Sequence, residues 1–204
     1  MTAGLRTLVA LTLVARAASA QDPRLAQRLD KPTYVAVNAI VDSARVAKLP
    51  TAPLVDKALE GAAKGSDGQK IVSAVHLLSV HMAASRRALG SNATGDEIKA
   101  AATALGAGMS ARDLARLRAA SGKRPVTMPL AVAIDLIGRD VPVATATSLV
   151  IQLQRSGVKD ADFALFQRNV RADIDRGADP TVAATTRARG LVLRSGPAAP
   201  KPSE

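Results

Sequence analysis

Apolar residues recur at three- and four-residue intervals along most of this chain, a spacing that places them on one face of an α-helix. One clear case is the segment 33–48, where Val37, Ile40, Val41 and Ala44 follow the pattern. Glycine, proline and capping residues interrupt the pattern repeatedly. It predicts about eight or nine helices, at roughly 33–48, 51–61, 67–89, 94–106, 110–120, 127–138, 143–156, 161–176 and 179–189.

The clearest unit is a helical hairpin predicted over 49–90. Pro53 lies at the start of its first helix, and Ser66 and Asp67 supply caps for a second helix that runs to about residue 89. This second helix has a continuous apolar stripe with further apolar residues beside it, so we expect it to be largely buried. The stripe consists of Ile71, Val75, Leu78 and Met82, and Val72 and Leu77 widen it.

Four turns restart the chain in a similar way. They begin at Gly65, Gly108, Asp140 and Gly177, roughly 30 to 45 residues apart. Arrays of helical hairpins have such periods, because one hairpin has too little core to fold alone. The chain is therefore predicted to be all-α and built from stacked helical hairpins in an α-solenoid-like array. An irregular helical bundle is the alternative.

Composition supports a helical fold. Tyr34, Phe163 and Phe166 are the only aromatic residues, so Ala, Leu, Val and Ile must fill the core. Small side chains let helices approach closely, and alanine has the highest helix propensity. A β-sandwich is disfavoured for the same reason.

The first twenty residues have the pattern of a secretory signal peptide. Arg6 precedes an apolar run at 8–15, and Ala18 and Ala20 are the small residues that a signal peptidase requires. We expect cleavage after Ala20 and a periplasmic or extracellular protein. A retained anchor is disfavoured because the run is too short to span a membrane, and an ordinary first helix is the other alternative. No other stretch reaches transmembrane length.

The rest of the chain divides into three predicted parts. Residues 21–32 form a flexible lead-in, 33–193 a single helical domain, and 194–204 a disordered tail rich in proline, serine and glycine. The chain has no cysteine, so its fold uses no disulfide.

The segment 49–65 carries a short motif with a Leu-Pro start, a Lys-x-x-Glu-Gly step and a Lys-Gly end. Its residues are Leu49, Pro50, Lys57, Glu60, Gly61, Lys64 and Gly65. In this motif the chain resembles uncharacterised exported bacterial proteins with helical repeats. The resemblance covers about forty residues of the hairpin. It implies an exported bacterial protein of this fold style, and it implies no activity and no site.

Residues that typically carry catalysis are sparse. His76 and His81 are the only histidines, and their spacing of five separates them by about 140° around a helix, so they do not form a metal-binding pair. The sequence has no nucleophile elbow and no phosphate-binding glycine loop. No pair of carboxylates is distinguished from the others. We therefore expect no catalytic, metal or cofactor site.

The net charge is +11, and cations concentrate in the segment 86–124. Seven of them are candidate contacts for an anionic partner: Arg86, Arg87, Arg112, Arg116, Arg118, Lys123 and Arg124. Such a cluster can bind an anionic envelope polymer or lipid head groups. A solvated basic face is the simpler interpretation. Nucleic acid is disfavoured as a partner, because the segment has no aromatic residue for base stacking.

Together these patterns predict a non-enzymatic module that binds a protein or peptide partner. Binding of an anionic envelope polymer or lipid through the segment 86–124 is the alternative hypothesis.

Overall fold

A computed structural model describes residues 22–195, and every structural statement below concerns this range. The described residues form ten α-helices, which confirms the all-α prediction and slightly exceeds the expected eight or nine. The helices are α1 (Pro23–Arg28), α2 (Lys31–Val46), α3 (Ala52–Ala63), α4 (Gly68–Leu89), α5 (Gly95–Gly106), α6 (Ala111–Ser121), α7 (Thr127–Ile137), α8 (Val143–Arg155), α9 (Asp160–Asp175) and α10 (Pro180–Ser195).

The helices stack in two layers. In one layer α2, α4, α6, α8 and α10 each pack against the next, and in the other α1 packs on α3 while α5, α7 and α9 pack in series. Every extensive helix contact in residues 22–195 joins helices one or two apart in chain order. This arrangement is an open, solenoid-like stack, because a closed bundle would bring its first and last helices together.

Two neighbouring helices of one layer, α2 and α4, run in the same direction. The start of α4 lies against the start of α2, where a Cβ atom on Gly68 would come 1.9 Å from Thr33 Oγ1. At their other ends, Arg86 Nη1 of α4 donates to the carbonyl of Lys48 just after α2, at 2.8 Å. A side chain at position 68 would have to displace the side chains of Thr33 and Asp30, which bond to each other at the start of α2.

One type of turn ends six of the helices. A residue with positive φ is followed by a residue whose N–H donates to the carbonyl five positions earlier, as in a Schellman motif. The positive-φ residues are Lys48, Gly65, Gly108, Asp140, Gly157 and Gly177. At four of these turns the next residue is apolar and buried, and these residues are Leu49, Met109, Val141 and Val158. The turn thus stops one helix and anchors the chain in the core before the next begins.

Side chains cap the starts of several helices, and the predicted cap at Asp67 is one of them. Asp67 accepts from the N–H of Lys70, and Ser110 accepts from the N–H of Asp113. Thr94 and Glu97 form a complete capping box on α5. Local hydrogen bonds of this kind depend on residues three positions apart, so they can be recognised from sequence.

The core has two parts. One part joins α1 to α5 and includes Leu25, Leu54, Val75 and Met82, and the other extends from the end of α4 to α10. Ala93, in the loop between α4 and α5, packs against both parts. The region around this loop is therefore the junction of the array.

Within the predicted lead-in, residues 22–32 contain the helix α1 and the start of α2. Asp22 caps α1, Asp30 caps α2, and Leu25 between them is fully buried. Burial of one leucine against α3 stabilises a helix too short to form alone. At the other end α10 continues to Ser195, beyond the predicted end at 189. The predicted signal peptide at 1–20 and most of the predicted tail lie outside the described residues.

Candidate binding surfaces

Two loops depart from the common turn and lie side by side at the junction. They connect α4 to α5 and α6 to α7, and glycines with positive φ begin both of them, at Gly90 and Gly122. The loops enclose an open cleft of about 610 Å³. Its polar lining includes Asn92, Asp96 and Lys123. This loop cleft lies within the basic segment 86–124.

Glu97 fixes the floor of the loop cleft. Its Oε2 accepts from the N–H of Thr94 at 3.0 Å, and its Oε1 accepts from the N–H of Val126 at 3.1 Å and from Arg118 Nη2. The residue is only 5% exposed. Burial raises the pKa of this carboxyl group, but the donors from Thr94, Arg118 and Val126 outweigh burial and hold the pKa below its usual value. The ionised Glu97 carboxylate therefore joins α5, α6 and the start of α7 through these hydrogen bonds.

Three of the seven predicted binding cations donate to backbone carbonyls within the protein. Arg118 pairs with Glu97 and donates to the carbonyl of Arg124 at 3.1 Å. Arg124 is half-buried and donates to the carbonyl of Val158 at 3.2 Å and to that of Gln154. Arg86 donates a hydrogen bond to the carbonyl of Lys48. These guanidinium groups satisfy carbonyls at helix C-termini, where positive charge is favourable.

The other four predicted cations are exposed. Arg87 lies in the last turn of α4, Arg112 and Arg116 lie on α6, and Lys123 follows α6. Arg116 pairs with Asp113 at 3.3 Å. The structure therefore leaves Arg87, Arg112 and Lys123 as the members of the set that face solvent without an ion pair among residues 22–195.

The loop cleft itself is not strongly basic. Lys123 and Arg118 line it together with two carboxylates, Asp96 and Glu97. Formal charges of opposite sign cancel within the cleft, so long-range attraction of a polyanion to it is weak. Its polar groups suit hydrogen bonding rather than charge attraction.

The two histidines of α4 have different surroundings. His76 is exposed on α4, whereas His81 is half-buried, with its ring close to Gly106 of α5. Among residues 22–195 no three His, Asp or Glu side chains are grouped so that they can hold a metal ion. None of the ten helices has both the length and the apolar character needed to cross a bilayer.

A second surface is an apolar groove between α2 and α4, with a volume of about 410 Å³. We call it the α2/α4 groove. No charged side chain is among its lining residues, which are Ala39, Ile40, Ser43, Ala44, Ala47, Leu49, His76, Ser79, Val80 and Ala83. Val80 is 46% exposed at its edge. Most of the lining side chains are small, so a partner backbone can approach closely.

The sequence did not reveal this groove. We expected α4 to be largely buried, yet Leu77 is 55% exposed and Val80 faces the groove. The signal was an excess of apolar residues over the single stripe that contacts the core. A helix with apolar residues on more than one face either is buried all round or presents a surface to a partner.

Comparison with known proteins found no matching family model, no similar curated protein and no similar solved structure. The resemblance of the segment 49–65 to exported bacterial proteins stays a prediction.

Proposed function

We propose that this protein is a non-enzymatic interaction module that holds an apolar segment of a partner protein in the α2/α4 groove. The observation that supports the proposal is the groove itself, an open apolar surface with small side chains between two parallel helices. Isolated exposed apolar residues are normal on protein surfaces, whereas a concave apolar lining is typical of a binding site.

Charge at one end of the groove indicates the chemistry of the partner. Lys48 follows the lining residue Ala47, and Arg87 lies one turn beyond the lining residue Ala83; both cations are exposed. The bond from Arg86 to the carbonyl of Lys48 brings this end of α2 and α4 together. A suitable partner is therefore an amphipathic helix with an apolar stripe and a carboxylate near one end.

The alternative hypothesis of an anionic polymer or lipid partner has less support. Arg86, Arg118 and Arg124 already donate to acceptors within the protein, so an anion must compete with those carbonyls and with Glu97. Arg87, Arg112 and Lys123 remain for such a partner, and a few separated surface cations bind anions weakly at physiological salt.

The proposed module works outside the cytoplasm. Support comes from the arrangement of Arg6, the apolar run at 8–15 and the small residues that end at Ala20. Mass spectrometry of the mature protein tests this proposal, because cleavage leaves Gln21 as the first residue. A chain that retains Met1 contradicts it.

Fluorescence anisotropy with two synthetic peptides tests the binding proposal. One is an 18-residue helix with a Leu/Ala stripe and two terminal glutamates, and the other has the same composition in scrambled order. We expect saturable binding of the amphipathic peptide only. Val80→Asp should weaken binding about tenfold or more, because it places a charge in the apolar contact. Leu165→Asp on α9 is a matched control, since Leu165 is 44% exposed and lies far along the stack.

Three results overturn the proposal. Equal binding of both peptides removes the requirement for an apolar stripe. Equal loss in the Val80 and Leu165 variants places the contact elsewhere. Binding that Val80→Asp leaves unchanged, but that salt or Arg112→Ala with Lys123→Ala abolishes, favours the anionic partner.

A further inference from the structure

The two ends of one helix layer expose large apolar side chains. The layer begins with α2, where Val35 is 59% and Val46 is 86% exposed, and it ends with α10, where Val182 is 61% and Leu193 is 84% exposed. Terminal helices of a solenoid have no neighbour on their outer side, and they are normally polar there. Both terminal helices of this layer depart from that rule.

The exposed residues have the same spacing on both helices. Val46 follows Val35 by the same number of residues, eleven, as Leu193 follows Val182. Eleven residues are about three helical turns, so each pair lies on one face and about 16 Å apart along the axis. The two end faces therefore match in length.

The residues between these pairs are complementary as well. On α2 the stripe reads Val35, Ala39, Asp42 and Val46, and on α10 the equivalent positions are Val182, Thr186, Arg189 and Leu193. The acidic Asp42 and the basic Arg189 occupy the same position in the two stripes. The Asp42 side chain is 42% exposed and pairs with Arg45 of its own helix, and Arg189 is exposed.

Each stripe faces away from the rest of the layer. Ile40 and Ala44 of α2 lie toward α4 in the α2/α4 groove, whereas Val35 and Val46 are exposed on the far side of the helix. Ala39, which lies between them in the stripe, also lines the groove. On α10 the buried residues are Ala183, Ala184, Ala188 and Leu191, and the exposed Val182 and Leu193 lie on the side opposite Ala184 and Leu191. Both stripes are thus placed where one more helix of the layer would pack.

We propose that copies of this protein associate head to tail, with α10 of one copy against α2 of the next. In this layer α2 and α4 pack in parallel, and the last turns of α6 and α8 meet through Ser121 and Gln154, so a parallel contact continues the packing of the array. In this register Val182 meets Val35, Arg189 meets Asp42, and Leu193 meets Val46. Such a contact is heterologous, so copies form chains or closed rings rather than symmetric pairs. The proposal does not depend on a partner in the α2/α4 groove.

Sedimentation velocity with blocked ends tests the proposal, using protein purified from cells that express the whole chain. Unmodified protein should increase in mean mass with concentration, up to about 1 mM. Val46→Glu blocks the α2 end and Val182→Glu blocks the α10 end, so each variant alone should be monomeric. A mixture of the two variants retains one good pair of ends and should form a dimer and nothing larger. Leu77→Glu on α4 is the control and should assemble normally.

Charge-reversal variants test the predicted contact between Asp42 and Arg189 independently. Asp42→Arg alone should weaken association about tenfold through repulsion of Arg189, and Asp42→Arg combined with Arg189→Asp should restore it.

Other outcomes overturn the proposal. Unmodified protein that stays monomeric over the whole range has no such contact. A Val46→Glu variant that still dimerises alone pairs through α10 only, and a Val182→Glu variant that does so pairs through α2 only. No rescue by the double charge reversal contradicts the register.

Discussion

The role of Glu97 as a tie between three segments can be tested by its removal. In Glu97→Ala the N–H groups of Thr94 and Val126 and the guanidinium of Arg118 all lose an acceptor. The substitution is confined to the base of the loop cleft and leaves the α2/α4 groove and the end faces of α2 and α10 intact.

The magnitude follows from how well water can replace the carboxylate at each donor. Val126 is fully buried, so its N–H is left unsatisfied at a cost of about 1–3 kcal/mol. The Arg118 side chain is 22% exposed, so water partly replaces its lost ion pair, whereas the N–H of Thr94 is at an exposed residue and loses little. We expect about 3 kcal/mol in total, within the range for breaking a largely buried pair.

Chemical and thermal unfolding provide the assay. For a chain of this size about 3 kcal/mol corresponds to a decrease in Tm of about 6 to 12 °C. Glu97→Gln should lose less, because an amide oxygen still accepts although without charge. Glu60→Ala is the matched control, because Glu60 also pairs with two cations, Lys57 and Lys64. All three side chains are exposed, so Glu60→Ala should change Tm far less than Glu97→Ala.

Hydrogen exchange separates the local role from general destabilisation. The amide of Val126 should lose protection in Glu97→Ala even where global stability remains high, because its acceptor is gone. If Glu97→Ala destabilises no more than Glu60→Ala, or leaves exchange at Val126 unchanged, the carboxylate does not join these segments and our interpretation of the loop cleft is wrong.

Three further predictions concern the rest of the array. The Asp173 carboxylate accepts from the side chains of Arg187 and Arg176, which hold its pKa at about 2. Its stabilising contribution is therefore present above pH 3.8 and is lost as the pH falls toward 2. In Asp173→Asn the free energy of unfolding should depend less on pH in that window. In urea unfolding, Leu25→Ala should lower the free energy of unfolding by about 2–4 kcal/mol, because Leu25 is fully buried. Leu193→Ala, at a residue that is 84% exposed, should leave the free energy of unfolding of the monomer nearly unchanged. Equal effects of the two variants mean that α1 does not pack against the rest of the protein. Lys48→Gly should stabilise the protein by about 0.5–1 kcal/mol, because φ is 56° at Lys48 and glycine adopts that φ without strain. Ala47→Gly, where φ is −74°, should destabilise the protein by a similar amount. Effects of the same sign in the two variants contradict the turn geometry.

Local interactions explain why much of the fold could be predicted. The capping box of Thr94 and Glu97, the cap at Asp67 and the turn at Gly108 each depend on residues within five positions of one another. Such patterns show in the sequence because their hydrogen bonds form within one turn of the chain. Helix order, most helix starts and the all-α class followed from them.

Functional roles were harder to predict, since they depend on residues far apart in the chain. The acceptor of Arg124 at Val158 is 34 positions away, and that of Arg86 at Lys48 is 38 positions away. In sequence both arginines were members of a basic segment, and only packing of the helices turned them toward carbonyls. The same charge can bind a partner or a helix end, and the position of neighbouring elements decides which.

By itself the sequence determined where the chain turns and which face of each helix is apolar, because both are set by residues within a few turns of each other. Tertiary structure alone decided which apolar residues stay exposed. Leu25 in a six-residue helix is buried because α3 covers it, whereas Val80 on the long helix α4 remains open because no further helix packs over the α2/α4 groove. Burial depends on what lies opposite a side chain, and stacking of distant helices supplies or withholds that neighbour.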